Sequence, residues 1–136
     1  MNDTAANYRA CHVNSLPFRW MAPEAIEQMV FNEKTDVWSF GVMVWEIFNQ
    51  AKQPYKNMAH ENILSFLKEG NRLPITNESP DTIKDLITKC WFNEPTNRPS
   101  FVELEENLVS LRLTYPDEMV EHCESADDDG YFVPVD

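Results

Sequence analysis

The sequence predicts a mainly α-helical domain. Apolar residues recur at helical spacing in several segments, residues that start or stop helices stand at the ends of those segments, and no segment reads convincingly as a strand. The central segment, residues 35–49, is apolar on every face, with Val37, Trp38, Phe40, Val42, Met43, Val44, Trp45, Ile47 and Phe48. Because a helix that is apolar all round is a buried one, we expect this helix at the centre of the core.

The first half of the chain contains two predicted helices after an irregular start. Residues 1–22 are polar and rich in turn formers. Pro23 suits the first turn of a short helix that runs to about Met29, since its missing N–H is not needed there. Thr35 or Asp36 is the predicted N-cap of the central helix. The sequence of residues 54–57 then indicates a turn.

Three further helices are predicted in the second half. Residues 59–69 carry an apolar stripe that stops at Gly70. Ser79 is the predicted N-cap of the next helix, with Pro80 at its first position. The buried stripe of that helix is predicted to be Ile83, Leu86, Ile87, Cys90 and Trp91. Ser100 and Glu103 have the spacing of a capping box before Leu104, Leu108 and Leu111. The segment after Pro116 has no helical period, which predicts a disordered tail.

Composition excludes several classes of function. The 136 residues allow one domain at most, and the net charge of −12 is uneven: residues 1–116 hold 11 basic and 15 acidic residues, and residues 117–136 hold 8 acids. No basic footprint for nucleic acid or an anionic membrane is present. Cys11, Cys90 and Cys123 are widely spread, as reduced thiols in the cytosol are. No apolar stretch is long enough to span a bilayer, and the first residues do not have the pattern of a signal peptide.

Four short blocks follow one another in a diagnostic order. They are Leu-Pro-Phe-Arg-Trp-Met-Ala-Pro-Glu at 16–24, Asp-Val-Trp-Ser-Phe-Gly at 36–41, Cys-Trp at 90–91 and Asn-Arg-Pro-Ser-Phe at 97–101. With these blocks the chain resembles the C-terminal part of a protein tyrosine kinase domain of the receptor type, over residues 1–113. The resemblance implies the C-terminal helical lobe of a kinase fold without the N-terminal β lobe. It divides the chain into a partial activation segment (1–22), the helical lobe (23–113) and an acidic disordered tail (114–136).

The resemblance also implies roles for single residues. Leu16, Pro17, Arg19 and Trp20 match the wall that positions the substrate tyrosine, although Trp20 and Met21 alternatively only cover the core. Glu24 and Arg98 match an ion pair that holds the end of the activation segment on the helical base. Asp36 matches an aspartate of the central helix that accepts hydrogen bonds from the catalytic loop, and without that loop it is expected to serve only as a helix cap.

Two tyrosines are candidates for phosphorylation. Tyr8 lies where receptor-type relatives carry an activation-loop tyrosine, with Arg9 and Arg19 as candidate partners of the phosphate. Tyr131 follows three aspartates and Gly130 and precedes Phe-Val-Pro, a context similar to receptor tails read by SH2-type domains. The alternative for Tyr8 is that it is an unmodified tyrosine in a flexible N-terminal segment. The alternative for Tyr131 is that it is an incidental aromatic residue in an acidic tail that only increases solubility.

The sequence contains no catalytic residue of a kinase. The only glycines are Gly41, Gly70 and Gly130, so no Gly-rich loop is present. The strand lysine motif, His-Arg-Asp and Asp-Phe-Gly are also missing. By the family's order these motifs are expected upstream of Met1. We therefore expect no cofactor in this chain; ATP and Mg²⁺ are expected only for the complete family domain. We also expect no metal site, since the neighbouring Cys and His residues do not have the spacing of metal ligands.

Three functions remain open at this point. The chain is part of a tyrosine kinase domain that transfers the ATP γ-phosphoryl group to protein tyrosine, a non-catalytic docking module, or a truncated product without a function. The expected partners are a protein substrate or the remainder of a kinase domain, and an SH2-type reader at Tyr131. The expected location is the cytoplasm, with membrane association only as part of a longer receptor. If helices that precede the catalytic loop are missing, the central helix is expected to expose an apolar flank.

Overall fold

The computed structural model describes residues 16–114, and this part of the chain is mainly helical, without a strand. Its helices are α1 (Pro23–Gln28), α2 (Glu33–Ile47), α3 (His60–Lys68), α4 (Asp81–Cys90) and α5 (Phe101–Thr114). Short 3-10 turns occupy Phe18–Trp20 and Pro95–Asn97. The predicted fold class and the five predicted helices are therefore confirmed. The chain divides after Glu103 into two compact units.

The start of α2 differs from the prediction. The N-cap is Asn32, whose side-chain oxygen accepts hydrogen bonds from the N–H groups of Lys34 (3.0 Å) and Thr35 (3.2 Å). The Thr35 hydroxyl in turn accepts from the Asn32 N–H at 2.8 Å, which completes a reciprocal capping box. The prediction that Thr35 or Asp36 caps this helix was wrong, because Asn32 satisfies the first N–H groups and both residues lie inside the first turn.

The ends of the other helices follow local chemistry. Met29 ends α1 in the left-handed conformation (φ 56°), and Gly70 takes φ 93° just after α3, where a residue without Cβ carries no steric penalty. The N-cap of α4 is Pro80, one residue later than predicted. The Ser79 hydroxyl is engaged elsewhere, in a hydrogen bond of 3.2 Å with the Thr76 hydroxyl.

The core of the first unit lies where α2 packs against α4. Val37, Trp38 and Val42 of α2 are fully buried, and Ile83, Leu86, Ile87 and Cys90 form the buried stripe of α4, as predicted. Gly41 allows this close approach. A Cβ atom at that position would lie 2.7 Å from the Cys90 Cβ and 2.9 Å from the Trp91 Nε1.

The second unit is described from Leu104 to the end of α5. Leu104 is buried, Leu108 and Leu111 are half-buried, and Val109 and Leu113 are exposed. The predicted capping box at residues 100–103 lies in the first unit. One of its two hydrogen bonds is present: the Ser100 hydroxyl accepts from the Glu103 N–H at 3.2 Å. The predicted acidic tail lies outside the described residues.

Candidate functional site

Arg19 fastens the segment before α1 to the loop between α2 and α3. Its guanidinium donates to the carbonyl oxygens of Pro54 (3.0 Å), Tyr55 (2.6 Å) and Met58 (2.8 Å). From the sequence, Arg19 is predicted to belong to the substrate-positioning wall and to be a candidate phosphate partner of Tyr8. These contacts could not be predicted from the sequence, because they join residues 35 to 39 positions apart and no local pattern indicates them.

The remaining wall residues are held mainly through Trp20. The Trp20 indole N–H donates to the Glu46 carboxylate at 2.5 Å, and its carbonyl oxygen accepts from the Ser39 hydroxyl at 2.6 Å. Pro17 is exposed and Leu16 half-buried. Phe18, which follows Pro17 in the sequence, stacks its ring on His60 with 5.7 Å between ring centroids. Contacts with α2 and α3 therefore fix residues 18–20.

Glu24 and Arg98 form a bidentate ion pair. Arg98 Nη1 lies 2.6 Å from Glu24 Oε2, and Arg98 Nη2 lies 2.9 Å from Glu24 Oε1. The Arg98 side chain is fully buried, and the Glu24 side chain retains 19% exposure. The structure thus brings together the two residues that the sequence analysis paired, with the fork geometry that arginine offers a carboxylate.

Arg98 also joins other parts of the first unit. It donates to the carbonyl oxygens of Phe92 (2.9 Å) and Lys34 (3.1 Å), and its own carbonyl oxygen accepts from the Lys34 ammonium at 2.7 Å. Its guanidinium carbon lies 5.0 Å from the ring centroid of Trp38, and so does that of Arg72. Two cations therefore contact one buried indole, an arrangement that cation–π attraction favours.

One flank of α2 is exposed although its residues are largely apolar. Asp36, Phe40, Met43 and Ile47 follow each other at helical spacing and so share one face. Met43 is 46% exposed and Ile47 64%, while Phe40 is half-buried against Phe101. We call these four residues the α2 stripe. The expectation of an exposed flank is confirmed, and the expectation of a helix buried on every face is wrong at Met43 and Ile47.

Asp36 is in the first turn of this stripe. Its N–H donates to the Asn32 carbonyl oxygen at 3.0 Å, and its side chain is on the exposed side of the helix. It is therefore not the helix cap that the sequence analysis expected, because Asn32 has that role.

A groove of about 580 Å³ lies beside the loop that Arg19 fastens. Its apolar wall includes Trp45, Phe66, Leu73 and Ile75, and its cations are Lys52, Lys56 and Arg72. Sequence reasoning did not find this groove, since its walls come from α2, α3 and two loops. A cluster of three cations beside apolar residues becomes visible only when the chain is folded.

Tyr55 lies within the groove and is nearly buried, with 9% exposure. Its ring packs edge-on against Phe66, and its backbone is left-handed, with φ 52°. Burial raises the pKa of the Tyr55 hydroxyl to about 12, and the neighbouring Arg72 opposes that rise. The hydroxyl therefore keeps its proton at neutral pH.

Other sequence predictions lie outside the described residues. These are the candidate phosphotyrosines Tyr8 and Tyr131, together with Arg9, Cys11 and Cys123. Within residues 16–114, no group of three or more His, Cys, Asp or Glu side chains is arranged to bind a metal ion. In the same range, no helix has the length and apolar character needed to cross a membrane.

Comparison with known proteins agrees with this architecture. The profile of the family described as protein tyrosine and serine/threonine kinase matches residues 1–108. The chain is 42% identical over 105 residues to the tyrosine-protein kinase transforming protein ros of UR2 avian sarcoma virus, covering 77% of this chain and 26% of that protein. It is 34% identical over 123 residues to the human proto-oncogene tyrosine-protein kinase ROS, covering 90% of this chain and 5% of that protein.

A third relative is the insulin-like growth factor 1 receptor of Xenopus laevis, 44% identical over 97 residues, which cover 71% of this chain and 7% of the receptor. The chain belongs to the protein tyrosine and serine/threonine kinase family. Its similarity to these relatives supports a portion of a receptor-type tyrosine kinase domain, as the sequence blocks indicated. The chain spans 26% or less of the length of each of these three relatives.

Proposed function

We propose that this chain supplies the helical base and the peptide-positioning wall of a tyrosine kinase domain. In this proposal the complete domain transfers the γ-phosphoryl group of ATP to a tyrosine of a protein substrate. Membership of the kinase family and the tyrosine kinase relatives support the proposal. The chain takes part in the reaction only when the remainder of a kinase domain is bound to it.

The exposed α2 stripe is the observation that carries this proposal. Met43 and Ile47 are exposed, although most other apolar residues of the central helix are buried. Full burial of a large apolar side chain contributes roughly 1.5 to 3 kcal/mol, and Met43 and Ile47, which are already partly covered, have part of that free energy left to gain. The remainder of the domain gains that stabilisation when it packs on the stripe.

The sequence explains why the isolated chain is proposed to be inactive. Phosphoryl transfer depends on metal ions that bridge the phosphates, a lysine that holds them and a carboxylate that accepts the tyrosine proton. The motifs that carry these groups are absent from the sequence. ATP and Mg²⁺ are therefore proposed as cofactors of the assembled domain and not of this chain alone.

The Glu24–Arg98 pair and the Arg19 contacts have a defined task in this proposal. They hold residues 16–24 in place, so that Leu16, Pro17 and Trp20 form the wall against which the substrate peptide lies. Because a misplacement of about 1 Å can reduce a reaction rate about 100-fold, such anchoring matters for activity even though no anchored group takes part in the chemistry.

A split-domain assay tests the proposal. The purified chain is mixed with a separate tyrosine kinase fragment that contains the Gly-rich loop, the strand lysine, His-Arg-Asp and Asp-Phe-Gly. Phosphorylation of a tyrosine peptide by Mg-ATP is then measured for each part and for the mixture. We expect activity only in the mixture. An inactive mixture in which the two parts demonstrably bind each other would contradict the proposal.

Two variants define the surface that the assay depends on. Ile47→Glu places a charge on the α2 stripe and is expected to abolish both association and activity. Val109→Glu is the matched control, since Val109 is comparably exposed, at 53% against 64% for Ile47, and lies outside the stripe. Equal loss of activity in the two variants would argue against the stripe as the assembly surface.

The second candidate function is a docking module without catalysis, in which phosphorylated Tyr131 is bound by an SH2-type reader. The same exposed stripe favours it, because a docking face needs apolar surface. In this case the chain binds a kinase fragment without restoring activity, and a peptide of residues 127–136 binds an SH2 domain only when Tyr131 is phosphorylated. Equal binding by the unmodified peptide would exclude the reader.

A further inference from the structure

The groove beside Tyr55 combines two kinds of surface. One wall is formed by Trp45, Phe66, Leu73 and Ile75, and the cations Lys52, Lys56 and Arg72 contribute charge to the same space. None of the residues that line the groove is acidic. The groove is therefore locally positive, in a chain whose residues 1–116 hold 11 basic and 15 acidic residues.

The walls of the groove are fixed before any ligand arrives. The Trp45 indole N–H donates to the Pro74 carbonyl oxygen at 2.7 Å, which ties α2 to the segment after α3. Arg72 is held by its bonds to the carbonyl oxygens of Trp91 (2.9 Å) and Leu67 (3.0 Å). Arg19 holds the opposite loop through Pro54, Tyr55 and Met58. A preformed groove loses less conformational entropy on binding than one that must be ordered.

The size and chemistry of the groove define what fits it. Its volume of about 580 Å³ is within the range of roughly 300 to 1,000 Å³ that is usual for ligand sites. The apolar wall suits a bulky apolar side chain, while the Tyr55 hydroxyl and the cations suit carboxylates.

We propose that this groove is a docking site for an acidic peptide segment of a partner protein, one that carries a bulky apolar residue between carboxylates. The apolar side chain lies on Trp45 and Phe66, and the flanking carboxylates pair with Lys52, Lys56 and Arg72. The charge complementarity and the mixed lining support this occupant. The site is separate from the α2 stripe and does not depend on phosphoryl transfer.

Fluorescence anisotropy with defined peptides tests the proposal on the full chain. The probe is fluorescein-labelled Asp-Glu-Leu-Phe-Asp-Glu. One control, Asn-Gln-Leu-Phe-Asn-Gln, removes the charge, and a second, Asp-Glu-Ser-Ser-Asp-Glu, removes the apolar side chains. We expect the probe to bind about tenfold more tightly than either control, and to bind more weakly as NaCl is raised. Equal binding by either control would overturn the proposal.

Charge reversal locates the site. The double variant Lys52→Glu, Lys56→Glu changes two exposed residues at the groove rim and is expected to weaken binding about tenfold. Lys89→Glu is the control, because Lys89 is an exposed lysine of α4 that does not line the groove. It is expected to change binding less than about twofold. An unchanged affinity in the double variant, or an equal loss in the control, would overturn the proposal.

Nuclear magnetic resonance gives a readout that does not depend on variants. The Trp45 indole N–H signal is expected to shift when the probe binds, while the Trp20 signal does not, since Trp20 does not line the groove. A shift confined to Trp20 would contradict the assignment. Tighter binding by a thymidine hexanucleotide or by phosphatidylserine vesicles than by the probe would show a general anion surface and would also overturn the proposal.

Discussion

Arg98 shows how one buried cation is made stable in this chain. Two carboxylate oxygens and two backbone carbonyl oxygens accept its hydrogen bonds, and the Trp38 ring lies beside its guanidinium. A charge removed from water without such partners costs several kcal/mol. The Glu24 carboxylate is the only partner of the four that brings a neutralising charge, so the stability of the site depends on it most.

Replacing Glu24 by Ala is therefore expected to destabilise the fold by about 3 to 5 kcal/mol, because Arg98 stays buried without a counter-charge. Glu27→Ala is the control on the same helix. Its partner Lys68 lies 2.8 Å away and both side chains are exposed, so that pair is worth about 1 kcal/mol or less. Urea unfolding measures both variants, and similar losses in the two would contradict the assigned role of Arg98.

The buried Cys90 thiol and Tyr55 hydroxyl determine how the free energy of unfolding is expected to change at high pH. Burial raises the pKa of the Cys90 thiol from 9.0 to about 12 and that of the Tyr55 hydroxyl from 10.0 to about 12. Between these limits the unfolded chain releases protons that the folded chain keeps, so the free energy of unfolding falls as pH rises. The Cys90 contribution is lost from about pH 9 to 12, and the Tyr55 contribution from about pH 10 to 12.

Tyr55→Phe separates the two contributions. It keeps the ring that packs on Phe66 and removes the titrating hydroxyl, so the decline between pH 10 and 12 should be shallower than in the unmodified chain. Unfolding free energies measured across this range test the expectation. An identical slope in both proteins would show that Tyr55 ionises as freely in the folded state as in the unfolded state.

At the scale of elements, the approach of α2 and α4 depends on Gly41. Glycine inside a helix normally lowers stability by about 1 kcal/mol relative to alanine. Here an added Cβ would lie 2.7 Å from the Cys90 Cβ, and overpacking of this kind costs about 1 to 3 kcal/mol. The steric effect is the larger of the two, so the packing explains a residue that helix propensity disfavours.

Gly41→Ala is accordingly expected to lower the free energy of unfolding, although alanine is the better helix former. Met43→Ala on the exposed side of the same helix is the comparison, and we expect it to change stability by less than about 0.5 kcal/mol. Thermal unfolding of the two variants shows whether each substitution raises or lowers the free energy of unfolding. Stabilisation by Gly41→Ala would mean that the helices separate without loss, contrary to the packing described here.

The presence of each helix could be predicted from the sequence, but the residues at which α2 and α4 begin could not. The stripe of α4 is readable because its apolar residues repeat at helical spacing. The caps of α2 and α4 were misplaced because Asn32, Thr35 and Ser79 are all good cap residues by type, and backbone geometry decides among them. Local preference defines a set of candidates, and the fold selects one.

At the scale of the whole molecule, the Glu24–Arg98 contact was predictable only through resemblance to a family, since it joins residues 74 positions apart. The groove was not predictable at all. Lys52 and Lys56 lie in the loop between α2 and α3, and Arg72 lies in the segment after α3, so no single run of charge indicates the cluster. An exposed flank of α2 was expected from the family resemblance, in which helices that precede the catalytic loop cover this helix.

Methyl resonance spectroscopy can show whether the remainder of a kinase domain binds to the α2 stripe. Methionine methyl groups are labelled with ¹³C, and the separate kinase fragment described above is added. Met43 lies on the stripe, Met21 is buried, and Met58 lines the groove. We predict that the Met43 signal shifts on binding and that those of Met21 and Met58 do not. An unchanged Met43 signal in a saturated complex would contradict the claim.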